Sequence, residues 1–141
     1  MQASSDHIST HTSYTNIVTE EFTRRALVDA MRRRHTYAST DAIIVDFRME
    51  DPGAGTHLMG DIFETRGQPR IAAKIIGTAP IQKLELVKNN KFILTRAPGT
   101  REASFEFVDN EASPGESYYY VRVEQADGEL AWSSPIWVRR R

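Results

Sequence analysis

Cysteine is absent from the 141 residues, so no disulfide staples the chain and no thiolate is available to a metal. Burial and backbone pairing must therefore hold the fold. No apolar run approaches the roughly 20 residues of a membrane-spanning helix, and Met1-Gln2-Ala3-Ser4-Ser5-Asp6 lacks the basic and then apolar order of a secretion signal. The expectation is a soluble product without a signal peptide in this chain, and compartment stays open. An excess of one charge is lacking too: a net charge of −1 gives no electrostatic reason to invoke nucleic acid. Also missing are a Gly-rich phosphate loop, a nucleophile elbow and a His-Glu-x-x-His pair. What remains is 40% apolar and 26% charged, the composition of a globular chain with one modest core.

The character of the chain changes near residue 42. Residues 1–18 are polar, with Met1, Ile8, Tyr14, Ile17 and Val18 as their large apolar side chains. Burying those five does not repay the entropy of ordering the segment, so it needs a surface to lie on. Thr19 to His35 reads as the one helix, with Thr19 as N-cap, Glu20 and Glu21 in the first turn and Arg32, Arg33, Arg34 and His35 in the last. Phe22, Ala26, Leu27, Ala30 and Met31 form its apolar stripe.

After Asp41 the hydrophobic period becomes 2. Ile43, Val45, Phe47 and Met49 alternate with Ile44, Asp46, Arg48 and Glu50, the pattern of a half-buried strand. Further strands are predicted around Leu58–Glu64, Arg70–Ile76, Ile81–Lys88, Lys91–Thr95, Ala103–Asp109, Ser117–Ala126 and Leu130–Arg139, with Asn89-Asn90 and Asp127-Gly128 as two-residue hairpin turns. Tyr119, Val121 and Val123 are the expected core row, opposite Tyr118, Tyr120, Arg122 and Glu124, and Trp132 is expected to pack with Ile136 and Val138. Short strands with regular turns and no helix between them predict a mainly β chain: an antiparallel immunoglobulin- or fibronectin-like β-sandwich over residues 42–141, preceded by one amphipathic helix and a polar N-terminal segment.

Chemistry concentrates at the N-terminus. Asp6, His7 and His11 supply one carboxylate and two imidazoles, ligand types that suit Zn, Mn or Fe, with hydroxyls around them for second contacts. An ordinary polar N-terminus explains the same composition. A hydrolytic metal site needs at least three protein ligands and an open position, and one polar segment barely reaches that number. His57 is expected on a solvent-facing turn, and His35 closes the helix.

Four stretches together resemble the C-terminal end of bacterial PHP-superfamily proteins of the CehA/McbA type, often described as DUF3604-like. They are Ser4-Ser5-Asp6-His7-Ile8-Ser9-Thr10-His11-Thr12-Ser13-Tyr14, then the run from Thr23 through Arg32-Arg33-Arg34-His35-Thr36-Tyr37-Ala38-Ser39-Thr40 to Asp41, then Met59-Gly60-Asp61, and Ala131-Trp132-Ser133-Ser134-Pro135-Ile136-Trp137-Val138. The resemblance implies a remnant of a metal-dependent, phosphoesterase-like catalytic barrel at residues 1–41. Asp6 with His7 or His11 would then be its last ligands to a divalent metal. It further implies that the chain alone is inactive and is completed by the missing barrel domain, in cis or in trans. Two other readings stand beside it: a stand-alone β-sandwich interaction module, and a self-sufficient metalloenzyme built on Asp6, His7 and His11. In each, the helix stripe finds the sandwich, self-associates or stays exposed.

Overall fold

A computed structural model describes residues 1–5, 12–111 and 113–141. The expected metal ligands Asp6, His7 and His11 lie outside the described residues. The described residues form twelve strands and one helix: β1 (Tyr14–Ile17), α1 (Arg24–Arg32), β2 (Thr36–Ser39), β3 (Ile44–Asp51), β4 (Gly55–Leu58), β5 (Ile62–Thr65), β6 (Arg70–Ile76), β7 (Ile81–Lys88), β8 (Lys91–Arg96), β9 (Glu102–Val108), β10 (Gly115–Gln125), β11 (Leu130–Ser133) and β12 (Ile136–Arg140). The mainly β, antiparallel character predicted from the strand period holds.

Two sheets share these strands. The smaller runs β4-β3-β6-β9. The larger is organised by the 11-residue β10, which pairs along one edge with β7 and through it β8. Along its other edge the first half of β10 pairs with β12 and the second with β11, so the sheet forks. One arm continues from β11 to β2 and β1, the other from β12 to β5. The β5–β12 pair is parallel. That pair, and the twelve strands, depart from the seven antiparallel strands of an immunoglobulin domain.

Alternation puts one apolar face of each sheet against the other. Val45, Phe47, Met49, Ile71, Ile75 and Phe105 of the small sheet share a single core with Leu84, Leu86, Tyr119, Val121, Val123, Ile136 and Val138 of the large one. Tyr119, Val121 and Val123 are the inward row of β10, as the spacing predicts. Trp132 is not in that core. Its neighbours Ala131 and Ser133 point inward, which turns Trp132 to the outer face, while Ile136 and Val138 lie inward beyond the break at Pro135.

Three local expectations are corrected. The helix begins at Arg24, because Thr23 is the N-cap: its Oγ1 accepts the Ala26 N–H at 3.2 Å. Thr19 instead turns on itself, with its hydroxyl bonded to the backbone of Glu21. The helix ends at Arg32, where Arg34 takes a φ of 64° and the His35 N–H donates to the Ala30 carbonyl at 2.9 Å, a Schellman closure with arginine in the left-handed position. The second hairpin loop is a three-residue loop and not a two-residue turn: Gln125 N–H meets the Glu129 carbonyl at 2.8 Å, leaving Ala126, Asp127 and Gly128, with Gly128 at a φ of 89°. At the first hairpin both Asn89 and Asn90 have positive φ, as a primed turn requires.

The sheet also runs across the expected division at residue 41. β2 is buried along its length, pairs with β11 and contributes Tyr37 to the common core. β1 lies against β2, and the N-terminal residues follow: the Ala3 N–H and carbonyl both bond to Thr15 Oγ1, and Thr36 Oγ1 donates to the Met1 carbonyl at 2.8 Å. The described residues of this polar segment thus lie against the β2–β11 arm of the large sheet.

Candidate functional site

The C-terminal end of α1 meets the turn between β4 and β5. This turn is possible because residue 60 is glycine: its φ is +99°, and a Cβ there would stand 2.4 Å from the Arg34 carbonyl oxygen and 2.5 Å from that of Arg33. Three contacts lock the approach. The Gly60 N–H donates to the Pro135 carbonyl at 2.9 Å, Arg34 Nε donates to the Gly60 carbonyl at 3.0 Å, and the Arg34 guanidinium lies over the Trp137 ring at 5.6 Å.

With the two backbones held together, His35 and Asp61 face each other. His35 Nε2 is 2.9 Å from Asp61 Oδ1, while Asp61 Oδ2 accepts the Leu58 N–H at 2.9 Å. The carboxylate accepts from Nε2 and fixes the orientation of the ring. The His35 side chain is only 13% exposed. Its ring borders a cleft of about 720 Å³, within the usual size range for small-ligand sites.

The cleft runs between α1 and the outer face of β3 and β4. Val18, Ala26, Ala30 and Leu58 line it with apolar surface, and Arg33, Arg48, Glu20, Glu21, Asp29 and Asp61 line it with charge of both signs. The small side chains at 26 and 30 on the helix face leave the space open. The arrangement suits an amphiphilic ligand or chain segment, with an oriented imidazole as hydrogen-bond acceptor or base.

Similar sequences occur in Chlamydia. The chain is 32% identical over 143 residues to an uncharacterized protein of Chlamydia pneumoniae, covering 88% of this chain and 22% of that protein. Uncharacterized proteins of Chlamydia trachomatis serovar D and Chlamydia muridarum match at 30% and 31% identity, again over 88% of this chain and 22% of theirs. The chain spans about a fifth of the length of the curated relatives it matches. No family model and no solved structure matches it.

Among the described residues no group of three or more histidines or carboxylates is arranged to hold a metal. His57 is not on a solvent-facing turn. It lies in β4 with its ring stacked on Phe63, centroids 3.7 Å apart and planes 8° from parallel, and its Nε2 is buried without a hydrogen-bond partner. The His35–Asp61 pair is the part of the site that residue-by-residue reading misses. From the sequence, His35 reads as a helix terminus and Asp61 as part of a strand over Leu58–Glu64, whereas the structure turns the chain between β4 and β5 there, and the contact spans 26 positions. The one sequence signal is the Gly60 before Asp61, marking a backbone that something approaches closely.

A second polar cluster joins the ends of β7 and β9 to β10. Lys88 Nζ at the end of β7 and the Tyr119 hydroxyl of β10 both donate to Asp109 Oδ2, at 2.5 and 2.7 Å, and the ammonium sits 5.6 Å from the Tyr119 ring centre. Burial alone would raise the Asp109 pKa, but the bonds from Lys88 and Tyr119 outweigh it and hold the carboxyl below the usual carboxylate range. Burial and the same carboxylate push the Tyr119 hydroxyl well above its ordinary value. This cluster ties the large sheet to the end of β9 in the small one.

Proposed function

We propose that this chain is the C-terminal β-sandwich part of a PHP-type, phosphoesterase-like metal-dependent hydrolase. In this reading it is accessory and inactive alone. Asp6 with His7 or His11 would complete a divalent metal centre of Zn, Mn or Fe held mainly by a barrel domain in cis or in trans, and the metal would supply an activated water for phosphoester hydrolysis. The observation that carries the larger-protein part is the match to relatives about five times as long, along 88% of this chain. The hydrolase part rests on the resemblance of four stretches, Ser4–Tyr14, Thr23–Asp41, Met59–Asp61 and Ala131–Val138, to that superfamily.

The test is metal analysis with an activity assay. The purified chain, loaded with Mn²⁺, Zn²⁺ or Fe²⁺ and desalted, is expected to retain less than one metal per chain and to leave p-nitrophenyl phosphate unhydrolysed. Stoichiometric metal with turnover overturns the accessory reading in favour of a self-sufficient enzyme. Coding DNA on the 5′ side, or in a neighbouring gene, is expected to specify a His-x-His barrel motif.

A stand-alone interaction module is the second reading, and the cleft beside α1 favours it. Ligand binding there that His35→Ala abolishes, in a cell without such a barrel partner, decides for it.

A further inference from the structure

The face that α1 turns to solvent is not the one its sequence stripe suggests. At 100° per residue, Ala26, Leu27 and Ala30 form the inward side, and Ala30 is the helix residue that is buried. Arg24, Arg25, Val28, Met31 and Arg32 fall on one arc of the opposite side, and all five are exposed. Val28 and Met31 are 41% and 45% exposed, and Phe22, just before the N-cap, is 93% exposed. Three apolar side chains therefore stand in water between three arginines. The acid within the helix is Asp29, whose carboxylate is 3.8 Å from Arg25 and 3.9 Å from Arg32, and Glu20 and Glu21 precede Phe22. That leaves two positive charges in excess on a helix of nine residues, in a chain whose net charge is −1.

We propose that this face of α1, carrying Phe22, Arg24, Arg25, Val28, Met31 and Arg32, docks an acidic polypeptide surface that itself presents apolar side chains. Charge complementarity selects the acid, and exposed phenylalanine, valine and methionine select apolar contacts within it. The guanidinium fork matches carboxylates in pairs. An anionic membrane fits less well. Two and a half helical turns offer only these three side chains for insertion, and Glu20 and Glu21, beside Phe22, would face lipid phosphates. The proposal rests on the reading that the chain works joined to a larger polypeptide, and it names the chemistry of the contact.

Two-dimensional NMR of the whole chain tests it with three probes: a 15-residue Glu/Leu helical peptide, its Lys/Leu counterpart, and phosphatidylcholine vesicles containing phosphatidylserine. The acidic peptide is expected to shift resonances of residues 22–32, the shifts shrinking at least severalfold as salt rises from about 0.05 to 0.5 M because exposed ion pairs are screened. Arg24→Glu/Arg25→Glu/Arg32→Glu is expected to lower affinity at least tenfold, and Val28→Ser/Met31→Ser severalfold, with melting temperature unchanged because these side chains are exposed. No shifts with the acidic peptide, equal shifts with the basic one, or binding to vesicles alone overturns the proposal. Metal retention and phosphatase turnover are read separately, so a failed hydrolase reading is distinguishable from a failed docking surface.

Discussion

Gly60→Ala probes the junction on which the cleft depends. Two separate costs act. A φ of +99° strains any residue with a Cβ by about 1–3 kcal/mol. The new methyl also meets the Arg33 and Arg34 carbonyl oxygens at 2.5 and 2.4 Å, and overpacking of this kind adds about 1–3 kcal/mol. The neighbours are backbone, so no side-chain rotation relieves the overlap. The expected loss is about 4 kcal/mol, a large part of the roughly 5–15 kcal/mol that holds a domain together. With a urea slope of about 2 kcal/mol per molar, the midpoint falls by about 2 M.

Gly128→Ala is the internal control. Its φ of +89° is similar, but its Cβ position meets nothing within 4 Å, so only the conformational cost of about 1–2 kcal/mol applies. Urea denaturation of both variants, followed by tryptophan fluorescence, separates the terms. Equal midpoints for the two, or a Gly60→Ala shift below about 0.5 M, would refute the close approach of the β4–β5 turn to the end of α1.

Thr23→Ala is expected to cost about 1 kcal/mol through loss of the helix cap, and Thr19→Ala much less, which thermal denaturation followed by circular dichroism distinguishes. Phe47→Ala, at a fully buried position between the sheets, is expected to cost about 3–5 kcal/mol in the same measurement. Asp109 has a folded-state pKa below its unfolded value, so its contribution is complete above the unfolded pKa of about 3.9 and is lost as pH falls through the folded one. Midpoints measured from pH 6 to pH 2 should therefore fall at the acid end. Asp109→Asn is expected to flatten that fall and to cost about 3 kcal/mol near neutrality, where it leaves Lys88 without its carboxylate partner. An unchanged acid slope would show that Asp109 does not carry it.

Several elements were legible because their cause is local. The strand at Ile44–Asp51 follows from alternation at Val45, Phe47 and Met49, β6 and β7 from apolar positions at strand spacing bounded by turn residues, and the first hairpin from two asparagines that tolerate positive φ. β1 and β2 escaped notice. Thr36-Tyr37-Ala38-Ser39 carries no alternating pattern because both faces are covered, and a buried strand of small and polar residues looks like a loop. The helix is shorter at both ends than its sequence suggests, because Thr19 and Thr23 are equally good caps by residue type and the arginines after Met31 are equally good helix formers.

By itself the sequence determined the mainly β class, most strand positions and the inward row of β10, since period and turn chemistry depend on neighbours a few residues away. Tertiary structure alone decided the forked sheet, the parallel β5–β12 pair, and the outward turn of Phe22, Val28 and Met31. It also decided that His35 meets Asp61 above a cleft. Those outcomes depend on which surfaces, distant along the chain, pack against each other, and Gly60, where backbone meets backbone, marks one of those contacts.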